Sequence, residues 1–124
     1  MKVLKEGHRY ELENFENKEA KGQEIQFIEK VSATANTTDG VFVTNLRAEH
    51  YGNHFAATQL VTVNDGTTNE EVIEVLIDRL NYLNAKFPCR ENSLAITKLE
   101  EALMWLNKRT SDRLKRGVEG TNQK

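Results

Sequence analysis

Phe87-Pro88-Cys89-Arg90-Glu91-Asn92-Ser93-Leu94-Ala95-Ile96-Thr97-Lys98-Leu99-Glu100-Glu101-Ala102-Leu103-Met104-Trp105 reads as a tight turn that opens a long amphipathic helix. Proline pushes the residue before it away from helical angles, so Pro88 ends whatever helix precedes it. Beyond the turn a helix is expected over about 91–115, with Leu99, Ala102, Leu103 and Leu106 on its inner face and Gly117 closing it. Upstream, Thr68 with Glu71 three positions on forms a capping box for a helix over about 69–85. Val72, Leu76, Leu80 and Leu83 line one face of that helix, and Ile73 with Ile77 widens it. A stripe that wide needs more than one neighbour. Two long helices joined by a short turn make an antiparallel hairpin.

Working outward, the turn formers Asn64-Asp65-Gly66-Thr67-Thr68 separate the helices from a segment of different period. Gln26–Val31, Val41–Leu46 and Phe55–Val63 are short runs rich in β-branched and aromatic residues, spaced by Asp39-Gly40 and Tyr51-Gly52-Asn53. They predict a small antiparallel sheet of three or more strands. Residues 11–24, rich in Glu, Lys and Asn, carry no assignable pattern. The fold class is therefore α+β: a small N-terminal antiparallel β-sheet in a β-rich part, 1–67, then a C-terminal two-helix hairpin, 68–117, and a flexible tail, 118–124.

A chain of 124 residues fits one domain, or one with a small appendage, and gains from oligomerisation because so small a body buries a modest share of its surface. Its formal charge of −2 disfavours a dedicated nucleic-acid binder. The single cysteine, Cys89, excludes an internal disulfide and cannot build a zinc site alone, which suits a reducing cytoplasm. Neither a signal-peptide-like start nor a run of membrane-spanning length is expected.

Two polar clusters carry the chemistry. Lys108, Arg109, Arg113, Lys115 and Arg116 crowd one helix end against a lone acid, Asp112. Arg109, Arg113 and Arg116, at i, i+4 and i+7, present guanidinium forks matched to phosphate oxygens. The bland reading is a set of cations offsetting the helix dipole and pairing with Glu70, Glu71 and Glu74 of the first helix. The second cluster, Lys86, Arg90, Asn92 and Ser93, surrounds the turn, with Tyr82 one turn back. Tyrosine can stack on a nucleobase, and the helix N-terminus offers N–H groups to an anion. Blandly, Asn92 or Ser93 caps the helix and Tyr82 packs. Asn92 and Arg109 are seventeen residues apart on one helix, hence roughly 25 Å apart. A dinucleotide-sized ligand touches both only where two chains pack antiparallel.

No catalytic pattern competes. His50 and His54 flank a predicted turn with only Glu49 nearby, His8 stands alone, and no phosphate-loop, dinucleotide or nucleophile-elbow motif occurs. No metal or cofactor is expected. Met104 and Trp105 read as packing residues of the hairpin or of a partner.

The order Arg90-Glu91, Ser93-Leu94-Ala95, Thr97-Lys98-Leu99-Glu100-Glu101-Ala102 and Met104-Trp105 resembles the hairpin domain shared by phage anti-CBASS sponges and the first type of phage Thoeris anti-defence protein. The match covers about a third of the chain and extends more loosely over the preceding helix. A β-rich segment ahead of the hairpin is the layout of the Thoeris type. The resemblance implies a non-enzymatic sponge that holds, uncleaved, the cyclic ADP-ribose isomer (glycocyclic ADP-ribose) made by a TIR-domain enzyme, in the cytoplasm of the infected host. It implies a homo-oligomer with sites between subunits, a dimer of hairpins or a higher assembly such as a hexamer, and in some members separate sites for cyclic oligonucleotides. Carried onto this chain, Tyr82 stacks on the base, Arg90 and Asn92 make polar contacts at the turn, and Arg109 and Arg113 meet the phosphates from the neighbouring chain, with Lys98 a further candidate. Cys89 stands where relatives often carry a small polar residue, and Asn92 where others carry a base. The alternatives are a sponge for cyclic di- or trinucleotides of CBASS immunity and a small phosphodiesterase acting on such signals.

Overall fold

The computed structural model describes residues 1–32 and 59–122, an α+β arrangement of short antiparallel strands followed by two helices. The strands are β1 (Lys2–Lys5), β2 (Arg9–Glu11), β3 (Glu24–Gln26), β4 (Glu29–Ser32) and β5 (Leu60–Asn64); the helices are α1 (Asn69–Lys86) and α2 (Arg90–Arg116). They belong to two compact units, Met1–Gly66 with Arg113–Lys124, and Thr67–Asp112.

In the first unit β1, β2 and β3 form a three-stranded antiparallel sheet, and β4 with β5 a two-stranded one. The β1–β2 connection is a tight turn in which the His8 amide donates to the Lys5 carbonyl at 3.0 Å. Its third residue, Gly7, sits at φ +76°, where a side chain would be strained. Val3 faces Tyr10 across the first pair and Tyr10 faces Ile25 across the second. Val31 faces Val61 in the other sheet.

The run Gln26–Val31, expected as one strand, is divided: Gln26 closes β3 and Glu29 opens β4. The division falls where the Gln26 side-chain amide donates to the Phe27 carbonyl at 2.7 Å, while the Phe27 ring packs edge-on against Tyr10 at 6.0 Å. Residues 11–24 enter through the end of β2 and leave through the start of β3. Between them, Asn14 Nδ2 donates to the carbonyls of Ala20 and Lys21 at 3.2 and 3.3 Å. The expected strand over 41–46 and the first residues of the one over 55–63 lie outside the described residues, as do His50 and His54.

One carboxylate ties the two sheets of this unit together. Glu29 is buried, its two oxygens accept from Lys5 Nζ at 2.7 Å each, and one also accepts from Asn64 Nδ2 at 2.8 Å. These two donors, the lysine first, hold the carboxyl below its ordinary pKa against the opposing cost of burial.

The C-terminal residues differ from the expected flexible tail. Gly117, at φ +71°, ends α2, and the chain folds back so that Thr121 bridges Gln59 and the Leu60 amide donates to the Gly120 carbonyl at 2.8 Å. A composition of Gly, Asn and Thr reads as disorder, but the contacts with Gln59 and Leu60 and the nearby Arg113 guanidinium supply the order.

In the second unit, Thr68 caps α1 as expected, its Oγ1 accepting from the Glu71 amide at 3.2 Å. No residue of α1 is buried, and Ile96 is the sole buried apolar side chain among the described residues. Val72, Ile73, Ile77, Leu80 and Leu83, like Leu99, Ala102, Leu103 and Leu106, reach only half-burial. Leu76 and Val75 are more open still. The two backbones do not pack closely along their lengths. Among the described residues no helix is long and apolar enough to cross a membrane.

Because the folded Glu29 carboxyl titrates below its unfolded value, its contribution to stability is present above the ordinary glutamate range and is lost as the pH falls through the folded pKa. The urea midpoint, followed by circular dichroism, is expected to drop on acidification from about pH 5 to about pH 3. Glu29→Gln should lower the midpoint at neutral pH and flatten that acid limb. An unchanged acid slope would remove Glu29 from its cause.

Candidate functional site

The turn between the helices is built by side chains that copy backbone hydrogen bonds. The Phe87 amide closes α1 on the Leu83 carbonyl at 2.9 Å. Asn84 then reaches across, its Oδ1 accepting from the Cys89 amide at 3.0 Å and its Nδ2 donating to Ser93 Oγ at 3.2 Å. One side chain of α1 thereby fixes the first turn of α2.

The cap of α2 is Cys89 rather than Asn92 or Ser93. Its Sγ accepts from the Asn92 amide at 3.4 Å and its carbonyl from the Ser93 amide at 3.2 Å. Ser93 Oγ adds a bond to the same carbonyl at 3.3 Å. The thiol does weakly what a serine hydroxyl does at other helix starts. The Asn92 side chain takes no part in this cap, and the positive end of the α2 dipole lies at the turn.

Around this turn stand Tyr82 and Lys86 on α1 and Arg90 on α2, all exposed. The Lys86 ammonium sits 4.4 Å from the centre of the Tyr82 ring, which covers one face and leaves the ring 54 % exposed. Phe87, at the turn itself, is also open. The structure thus brings Tyr82 to the same helix junction as Arg90 and Asn92. Asn84, the organiser of that junction, was missed by sequence reasoning. Its signal was a polar residue five positions before a helix cap, too common a pattern to single out.

The basic end of α2 resolves into unlike residues. Arg113 is buried: Nε donates to Glu119 at 3.0 Å, and one terminal nitrogen donates to the carbonyls of Val118 and Thr121 at 2.9 Å each. Lys108 pairs with Asp112 at 2.8 Å, and Lys98 lies 3.9 Å from Glu101. Arg109 is exposed and makes no ion pair among the described residues. The expected pairing of Glu70, Glu71 or Glu74 with Arg109 does not occur. Arg109 and Asn92 lie on one continuous helix, so no single chain brings them together. Among the described residues no three His, Cys, Asp or Glu side chains gather as a metal ion would require.

Residues 49–111 match the Acb2/Tad1 hairpin domain, half of the chain. The chain belongs to the Acb2/Tad1 hairpin family. A relative in that family context, "Thoeris anti-defense 1" of Bacillus phage SBSphiJ7, is 62 % identical over 61 residues. That stretch is 48 % of this chain and 43 % of the relative, so the likeness spans under half of the relative's length. The hairpin match takes in Tyr82, Arg90, Asn92, Lys98 and Arg109 and stops short of Arg113.

Removing the Asn84 side chain should loosen the turn without touching any ligand-facing group. Asn84→Ala is expected to cost about 1–2 kcal/mol in a denaturant titration, for two lost hydrogen bonds. Cys89→Ser should be neutral or slightly stabilising, and Cys89→Ala should cost about 1 kcal/mol. If Cys89→Ala were silent, the thiol would not be acting as a cap.

Proposed function

We propose that this chain is a phage anti-defence sponge that binds and sequesters, without cleaving it, glycocyclic ADP-ribose made by a Thoeris TIR enzyme in the cytoplasm of the infected host. The observation that carries the proposal is the hairpin match, joined to the placement of the residues within it. An aromatic ring, an amide and a helix N-terminus meet at one end, and an unpaired guanidinium waits at the other. That is a base platform and a phosphate fork, the two features a nucleotide signal needs.

In this proposal Tyr82 stacks on the base while Arg90 and Asn92 take polar groups of the sugar or phosphate. Arg109 of a neighbouring chain supplies the phosphate contact, and Lys98 adds positive charge along the helix. Arg113 joins them only by exchanging Glu119 for a phosphate. Otherwise it holds the end of α2 in place. The site forms between subunits of a homo-oligomer, which the half-buried apolar faces of both helices also favour. The protein needs no metal or cofactor, because holding a ligand requires neither.

The test is to incubate the protein with the product of a Thoeris TIR enzyme, filter away free ligand, heat the retained protein and chromatograph what is released. Intact signal in the heated fraction is the expected result, and Arg109→Ala should weaken retention on the order of tenfold or more, as befits a lost charge-assisted bond. Signal left in the filtrate would reject this ligand, and retention of cyclic di- or trinucleotides instead would replace it. A degraded product would mean an enzyme.

A further inference from the structure

Trp105 reads in the sequence as a packing residue of the hairpin or of a partner; in the single chain it is 57 % exposed, and no ring or cation partner among the described residues engages it. It lies one helical turn before Arg109, so the two side chains leave the same side of α2 with their Cβ atoms roughly 6 Å apart. The cations around them are not equivalent. Lys108 pairs with Asp112 and Lys98 lies 3.9 Å from Glu101, whereas Arg109 makes no ion pair among the described residues. The open indole forgoes hydrophobic burial, and the exposed guanidinium beside it, with no ion pair among the described residues, is available to an anion at little cost.

We propose that Trp105 is a nucleobase-stacking residue of the site that Arg109 serves, the indole taking the face of the base opposite Tyr82 of the neighbouring chain and the guanidinium the phosphate of the same nucleotide ligand. The proposal deepens the sponge function and rests on it. Its occupant is set by complementarity: a flat π-face for the indole and an anion for Arg109, spaced like the base and phosphate of a nucleotide. An aliphatic protein surface would satisfy the indole and leave the guanidinium desolvated without a partner. A ring already holding a cation on one face, as Tyr82 does, is half occupied; no cation among the described residues covers the indole of Trp105.

Trp105 is the sole tryptophan of the chain, so its emission reports on this position alone. Glycocyclic ADP-ribose and, separately, a 3′,3′-cyclic dinucleotide would be titrated into the full chain, with affinity measured by equilibrium dialysis and particle size by light scattering. The expected result is a saturable change in emission that tracks dialysis. Trp105→Leu should weaken binding on the order of tenfold or more, Trp105→Phe should retain most of the affinity, and both should keep the unmodified particle size. Unchanged emission at saturation, or equal affinity in Trp105→Leu, would overturn the role of Trp105 while leaving the sponge function standing. A smaller particle in Trp105→Leu with Trp105→Phe normal in size would instead make the indole a contact between copies and overturn the proposal. Failure of both compounds to bind the unmodified chain would overturn the function and the role of Trp105 together.

Discussion

The rest of this molecule depends on an imbalance of burial. Helices α1 and α2 contain 18 and 27 residues, so α2 alone extends about 40 Å. A helix of that length is held by tertiary packing of its apolar face far more than by intrinsic propensity. Yet among the described residues only Ile96 buries an apolar side chain fully, while Val75, Leu94, Met104, Trp105 and Leu114 stay open. Leaving one such side chain in water forgoes about 1.5–3 kcal/mol. In the proposed assembly a partner chain would cover several of them, and the length of α2 sets Asn92 and Arg109 apart. Under the proposed function, assembly and binding answer the same geometric fact, and the site draws on more than one chain.

Against that openness, the turn is closely fixed. Asn84 bonds to both Cys89 and Ser93, and Cys89 in turn holds the amides of Asn92 and Ser93. Three side chains and four backbone groups share one small network. A ligand meeting Asn92, Arg90 and Tyr82 meets groups carried on an already ordered backbone, and ordering that backbone is not charged against affinity. The sulfur is the weak member. A thiol is a poorer acceptor than a hydroxyl, so here the amide of Asn84 carries much of the burden that a serine cap would otherwise share.

The helices were legible because their signals are local: Thr68 and Glu71 at one start, Pro88 at the break, Gly117 at the end. Their observed bounds, Asn69–Lys86 and Arg90–Arg116, lie within a residue or so of the expected ones. The strands were less so. β1 and β2 are four and three residues long, with Lys, Glu and Arg beside their few apolar side chains, so neither offers a run from which alternation can be read. Gln26–Val31 looked continuous because its composition is uniform, although Glu29 belongs to a clamp with Lys5 and Asn64 that no short window contains. At the candidate site the turn cluster could be read from residue types, while Asn84 could not, since its function lies in spanning two helices.

Arg109 and Arg113 show why composition alone could not assign the basic end. They are the same residue type, one turn apart on one helix. Four residues advance the helix by about 400°, so the second guanidinium is turned some 40° from the first. That modest rotation separates solvent from interior. Arg113 gives its donors to Glu119 and two carbonyls, and at that position the guanidinium works as a folding element for the chain end. Arg109 stays on the outer side with Trp105 for a neighbour. A buried arginine must be saturated to be tolerated, whereas an exposed one can stay unpaired at little cost. Only the second kind can take a phosphate without first giving something up, so in the proposed site the phosphate contact falls to Arg109 rather than to Arg113.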